Sequence, residues 1–136
     1  MNDLFTWLYE LLGYLEGFSD NLYDIGTNVP VGISMLLISL TGMVVYYYLI
    51  DHPQFGHWWN WLLVLIILCL INFVIAWALS DGALYNYYTE LNQDVPYGAT
   101  EFLTYSFVNS FWTLIFSFIF SMCIKWGSRN CTRSPF

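Results

Sequence analysis

The sequence predicts an all-α membrane protein with three transmembrane helices and one amphipathic helix at the N-terminus. Three apolar stretches of 20 to 23 residues, at 31–50, 58–80 and 102–124, are long enough to cross a bilayer core. None of them contains Asp, Glu, Lys or Arg. Charged residues make up only 10% of the chain, compared with about 25% in soluble domains. We therefore expect a single helical membrane domain over residues 1–136, in contact with the lipid bilayer.

Charge is sorted along the chain and predicts its orientation. Lys125, Arg129 and Arg133 are the only basic residues, whereas all ten acids lie between Asp3 and Glu101. The positive-inside rule places the tail at 127–136 in the cytoplasm and, after three crossings, the N-terminus outside. Nine acids then lie on the outer face of a cell or inner membrane. The net charge of −7 should repel nucleic acid and attract cations or a basic partner.

Residues 1–26 carry an apolar pattern of their own. Seven apolar residues follow the a and d spacing of a heptad repeat: Leu4, Leu8, Leu11, Leu15, Phe18, Leu22 and Ile25. The acids lie away from this seam, but Phe5, Trp7, Leu12 and Tyr14 widen the apolar face. Two hypotheses follow, an extracytoplasmic helix lying on the membrane surface or self-association through the seam. Gly13 and Gly17 weaken the segment as a free-standing helix.

The first apolar stretch predicts a helix that packs closely with a neighbour. Pro30 suits the first turn of this helix. Gly32, Ser39 and Gly42 share one face and would allow a second helix to approach. The three tyrosines at 46–48 should form an interfacial aromatic belt at the cytoplasmic end.

The second stretch begins with three tryptophans at 58, 59 and 61, another expected interfacial anchor. Asn72 lies in its deep half, where an amide needs a hydrogen-bond partner, so Asn72 should point at another helix. An interhelical bond is one interpretation, and a role in conduction or substrate contact is the other. The helical spacing of Leu84, Tyr88 and Leu91 predicts that this helix continues to about Asn92.

The third stretch carries the most suggestive polar feature of the sequence. Its hydroxyl residues are spaced for one helix face, with Asn109 at the edge, and form what we call the hydroxyl stripe: Ser106, Ser110, Thr113, Ser117 and Ser121. Such residues let helix backbones approach each other, and their hydroxyls can bond back to the preceding turn. They could also line a pore in an oligomer, although Phe102 and Phe120 would constrict it at both ends.

Enzymatic motifs are not found in the sequence. No phosphate-binding loop, Walker motif or nucleophile elbow is present, and the three stretches contain no Asp, Glu or His. The loop from Asp51 to His57 contains two histidines, but their spacing matches no recognised metal pair. Cys69, Cys123 and Cys131 match no metal pattern and are expected to be free thiols. We expect no cofactor, no metal site and no catalytic residue.

Two functions remain compatible with the sequence. The first is a non-enzymatic small membrane subunit that anchors, scaffolds or assembles a larger membrane complex, with other membrane subunits or further copies of itself as partners. The second is a homo-oligomeric, cation-permeable pore or membrane-depolarising effector lined by the third helix. The hydroxyl stripe and Asn72 are candidates for packing or pore lining, and Gly32, Ser39 and Gly42 are candidates for helix packing.

Overall fold

The computed structural model describes residues 1–49 and 57–127, and these residues form helices joined by turns and short irregular segments, with no strand among them. The helices are α1 (Asn2–Gly13), α2 (Phe18–Ile25), α3 (Asn28–Val44), α4 (Trp58–Glu90) and α5 (Ala99–Ile124). A π-helical turn, Val45–Leu49, extends α3, and a 3₁₀ turn, Lys125–Gly127, extends α5.

Three helical segments are long and apolar enough to cross a membrane: Asn28–Leu49, Trp58–Glu90 and Ala99–Gly127. At 1.5 Å per residue the shortest spans about 33 Å, slightly more than the hydrocarbon core. The three spans pack against one another as a bundle. We call the end that carries α1 and α2 the acidic end, and the end that carries Lys125 the basic end.

The N-terminal region differs from the single amphipathic helix predicted for residues 1–26. It forms two helices, because Tyr14 is extended (ψ 124°) and Gly17 takes a left-handed backbone (φ 76°) that other residues rarely adopt. The backbone N–H of Gly17 bonds the Asp20 carboxylate at 3.4 Å, which helps α2 begin there. A continuous helical seam from Leu4 to Ile25 is therefore ruled out.

Because the chain breaks between α1 and α2, the seven seam residues do not share one surface. Some of them are buried and others are exposed. Leu8, Phe18 and Leu22 are buried within the protomer, and Leu15 and Ile25 pack against the same core. Leu4 and Leu11 are 63% and 57% exposed. The heptad spacing thus falls on two helices that each bury one face, and self-association through these seven residues stays a prediction.

Helix α2 ends in a glycine cap that turns the chain toward the first span. Gly26 adopts φ 78°, and its N–H donates to the Tyr23 carbonyl at 3.0 Å. The N–H of Thr27 donates to the Leu22 carbonyl, also at 3.0 Å. These two bonds satisfy two carbonyls at the end of α2. Helix α3 begins at Asn28, two residues after Gly26.

The core has two parts, one toward each end of the bundle. At the acidic end, aromatic and aliphatic side chains from α1, α2, α3, α4 and α5 surround Phe18 and Leu22. At the basic end, Met43, Trp61 and Leu65 pack with the tyrosines at 46 and 47. Because the π-helical turn shifts the register of the backbone, two consecutive tyrosines point inward. Only Tyr48 of the expected aromatic belt is exposed, at 53%.

Helix α4 continues without a break past Ser80 to Glu90, through the predicted continuation. Its apolar outer face includes Leu63, Ile66, Leu70 and Val74, each at least half exposed within the protomer. Such a face suits lipid tails. After α4, Asn92 takes a positive φ of 54° and turns the chain back toward α5.

Helix α5 begins with a carboxylate cap at the acidic end. The backbone N–H of Gly98 bonds the Glu101 side chain at 3.0 Å, which satisfies one free donor at the helix start. The negative charge of Glu101 is also favourable near the positive end of the helix dipole. This cap explains why the last acid of the sequence lies directly before the third span.

Candidate functional site

The hydroxyl stripe of α5 lies inside the bundle. The side chains of five α5 residues have no exposed surface within the protomer: Ser106, Asn109, Thr113, Ser117 and Ser121. Ser110 is half-buried at the edge of the stripe. The stripe therefore faces α3 and α4, which pack against α5.

Two stripe residues satisfy their hydroxyls on their own helix. Ser106 donates to the Phe102 carbonyl at 2.8 Å, and Thr113 donates to the Asn109 carbonyl at 2.9 Å. These bonds run back by four residues, as is common for Ser and Thr in apolar helices. They need no partner on another helix.

Other stripe residues join α5 to its neighbours. Ser110 donates to the Cys69 carbonyl of α4 at 3.1 Å, and the Cys69 thiol lies 3.5 Å from the Ser110 carbonyl. The hydroxyl of Ser121 lies 2.6 Å from that of Tyr47 and accepts from the indole N–H of Trp61 at 2.9 Å. Ser121 thus links all three spans near the basic end.

Asn109 connects α5 with both α1 and α4. Its Oδ1 accepts from the Tyr9 hydroxyl at 2.9 Å, and its Nδ2 donates to the backbone carbonyl of Asn72 at 2.9 Å. Both amide atoms are thereby satisfied in a site with no exposed surface. On Asn72, it is the backbone carbonyl that accepts the bond from Asn109, and the Asn72 side chain takes no part in it.

Further polar bonds hold α1 against the spans. Asn28 donates to Thr6 at 2.8 Å and accepts from the Tyr105 hydroxyl at 2.9 Å. The indole N–H of Trp112 donates to the Leu8 carbonyl at 2.8 Å. The sequence does not predict roles for Tyr9, Asn28 or Trp112, since nothing in their spacing points to partners about 80 to 100 residues away.

The small-residue strip of α3 makes two separate contacts. A Cβ atom added at Gly32 would lie closer than 3.0 Å to the Phe5 ring of α1, and one at Gly42 would meet Leu68 of α4 as closely. Ser39, between them, has no exposed surface. The strip accommodates helices on two sides rather than one.

A few buried polar atoms have no hydrogen-bond partner among the described residues. They include both amide atoms of Asn72 and the hydroxyls of Ser39 and Ser117. All three side chains have no exposed surface. Burying such groups without a partner is costly, so these positions differ from the satisfied residues around them.

A groove between α1 and α2 at the acidic end is lined by three carboxylates. It has a volume of about 310 Å³, and we call it the acidic groove; it is lined by Asp3, Thr6, Trp7, Glu10, Asp20 and Tyr23. The Tyr23 hydroxyl donates to Asp3 at 2.7 Å, and this bond raises the pKa of Tyr23. The indole of Trp7 is 62% exposed.

Metal-binding geometry is not found in the described parts of the chain, where no group of three or more His, Cys, Asp or Glu residues could hold an ion. His57 directly precedes α4, whereas Asp51 and His52 lie outside the described residues. Cys69 and Cys123 are free thiols, and Cys131 lies outside the described ranges, as does most of the tail at 127–136.

The features above define a class of protein: a membrane-embedded helical bundle with three apolar helices of spanning length. Comparison with known proteins narrows this class no further, because no protein family, characterised protein or solved structure matches the chain.

The buried hydroxyl of Tyr9 should make the stability of the protein depend on pH. Burial raises its pKa above the ordinary value of 10.0, so the folded protein keeps the Tyr9 proton at pH values where the unfolded chain releases it. Stability from this group is complete below about pH 10 and is lost as pH rises through the folded-state pKa. We expect the free energy of unfolding in mixed micelles to fall above pH 10.

The variant Tyr9→Phe should show a shallower fall over the same pH range, since it lacks the titrating hydroxyl. Hydrogen bonds to carboxylates raise the pKa values of Tyr14 and Tyr23, and these groups act with the same sign in both proteins. The difference between the two curves therefore isolates Tyr9. Parallel curves from pH 8 to 11 would contradict the assignment.

Proposed function

We propose that this chain is a non-enzymatic small membrane subunit that anchors or assembles a larger membrane complex. The observation that carries the proposal is the placement of the polar residues of the spans. The hydroxyl stripe, Asn72 and Ser39 are directed into the protomer itself. Little polar chemistry is then left on the sides of the bundle, and the carboxylates of α1 and α2 lie at its acidic end.

The acidic groove is the proposed place of contact with a partner. Asp3, Glu10 and Asp20 bring three carboxylates to one concave surface, beside the exposed rings of Trp7 and Tyr23. Residues 1–124 contain no Lys or Arg that could neutralise these carboxylates. A partner segment rich in Lys or Arg would complement both the charge and the aromatic faces.

The orientation of the chain is part of the same proposal. Lys125, Arg129 and Arg133 favour a cytoplasmic basic end, which would direct the acidic groove outward. The apolar residues Leu4, Leu11 and Leu12 on the exposed side of α1 would then meet the outer leaflet. The partner would approach from the extracytoplasmic side.

The alternative of a cation-permeable pore stays a prediction. In a pore built from several copies, Ser106, Thr113 and Ser117 would have to face a central channel. They are buried against the protomer's own helices, so α5 would have to rotate or separate from α3 and α4. This rearrangement would break the bonds of Ser121 to Tyr47 and Trp61.

The proposal can be tested by site-specific photo-crosslinking in native membranes. A photoreactive residue replacing Trp7 lies in the acidic groove, whereas one replacing Ile66 lies on the lipid-facing side of α4. We expect the Trp7 probe to give one protein adduct of defined mass. The Ile66 probe should give mainly lipid adducts.

Charge variants supply the matched control for this experiment. The triple variant Asp3→Asn, Glu10→Gln and Asp20→Asn should abolish the adduct. A second triple variant removes the same number of charges from exposed acids outside the groove: Asp81→Asn, Glu90→Gln and Asp94→Asn. It should keep the adduct. A chain that purifies in mild detergent as a lone monomer and gives no protein adduct would refute the proposal.

A further inference from the structure

Asn72 combines complete burial with an unsatisfied side-chain amide. It lies in α4 with no exposed surface, and neither Oδ1 nor Nδ2 has a hydrogen-bond partner among the described residues. Its own backbone carbonyl is engaged by Asn109. An amide can donate two hydrogen bonds and accept two, so this side chain has unused capacity in an apolar interior.

Ser39 of α3 is a comparable buried group that the helix register brings to a similar level. Gly42 faces Leu68 across the antiparallel pair of α3 and α4. One turn back along α3 from Gly42 is Ser39, and one turn forward along α4 from Leu68 is Asn72. Both residues therefore lie at one level of the bundle, and the Ser39 hydroxyl also lacks a partner among the described residues.

The Asn72 amide and the Ser39 hydroxyl are both uncharged, and this favours a neutral ligand. The described parts of the three apolar stretches contain no Asp, Glu, His, Lys or Arg, and Lys125 follows the third stretch, after the end of α5. An ion at this level would have no charge to balance it, whereas a neutral molecule needs none. Water is the smallest neutral ligand that both donates and accepts, and buried waters typically make about three hydrogen bonds to such groups.

We propose that Ser39 and Asn72 hold an internal water molecule in the middle of the bundle. The water would donate to Asn72 Oδ1 or accept from its Nδ2, and would bond the Ser39 hydroxyl on the facing helix. It would join α3 to α4 at the level where Asn109 already joins α5 to α4. The three spans would then share one continuous polar layer.

The test is magic-angle-spinning NMR of the full chain in lipid vesicles with labelled asparagine. Magnetisation transferred from water protons is measured at the NMR signal of the Asn72 side-chain amide. This signal is assigned because it disappears from the spectrum of the Asn72→Leu variant. Asn109 is the internal reference, because it is equally buried but bonded only to protein groups. We expect rapid transfer to Asn72, close to that of the exposed Asn92, and slow transfer to Asn109.

Two variants separate the water site from general solvent access. Ser39→Ala should reduce the transfer to Asn72 by about a third, since a water with about three bonds loses one of them. Ser117→Ala removes another unpartnered buried hydroxyl, near the level of Leu65, and should leave the transfer unchanged. If Asn72 in the unmodified protein receives magnetisation as slowly as Asn109, the proposal is overturned whether or not the variants fold.

Discussion

Replacing Phe18 by alanine is expected to lower the free energy of unfolding by about 3–5 kcal/mol, among the largest losses from one side chain. Phe18 has no exposed surface, although it lies in a helix of only eight residues. Its ring packs against three others, with centroid distances of 5.2 Å to Tyr97, 5.2 Å to Phe102 and 5.9 Å to Tyr105. The substitution leaves a cavity where α2 meets α5.

The measurement is reversible unfolding in mixed micelles, with Leu11→Ala as the control. Leu11 belongs to the same heptad spacing but is 57% exposed, so its loss should be about 0.5 kcal/mol or less. The comparison also tests the break between α1 and α2. A single continuous helix with one buried seam would make the two losses similar, and that result would contradict the packing of α2.

Replacing Gly32 by leucine is expected to push α1 away from the bundle, at a cost of about 1–3 kcal/mol for overpacking. A Cβ atom at this position lies closer than 3.0 Å to three atoms of the Phe5 ring. Because the Phe5 ring is buried, we expect the clash to displace the backbone of α1. The bond from Trp112 to the Leu8 carbonyl should weaken at the same time.

Hydrogen exchange of the α1 amides in nanodiscs measures this displacement, and we expect faster exchange across residues 2–13. Gly82→Leu is the matched control, because a Cβ atom there meets nothing within 4 Å. That substitution should leave the α1 amides protected from exchange. It should also stabilise α4 by up to about 1 kcal/mol, since glycine is a poor helix former. Unchanged protection of the α1 amides in Gly32→Leu would show that the packing of Phe5 against α3 does not require glycine at position 32.

The spans and their inner faces could be predicted because both depend on local periodicity. Ser106, Thr113 and Ser117 recur at helical spacing, and an apolar helix buries such a polar face wherever it has neighbours. The spacing alone did not identify the helices that cover it. The choice between packing and pore lining depends on contacts between distant parts of the chain, such as Ser121 with Tyr47 and Trp61.

The N-terminal helix was predicted less well, for two physical reasons. Gly17 is a weak helix former, but its left-handed φ goes together with the burial of Phe18 and Leu22 in a cluster that includes residues of α4 and α5, and the local sequence does not contain these partners. The second reason is sequence separation, since Tyr9 meets Asn109 across 100 positions. Periodicity within residues 1–26 carries no information about such a partner.

The contacts of α1 also have a consequence for the order of assembly during synthesis. Residues 2–13 leave the ribosome before any span, yet the groups that hold them lie in α3 and α5, up to 104 positions later. Membrane helices generally insert first and associate afterwards. Helix α1 therefore precedes the spans in the chain but can reach its final place only after they have assembled.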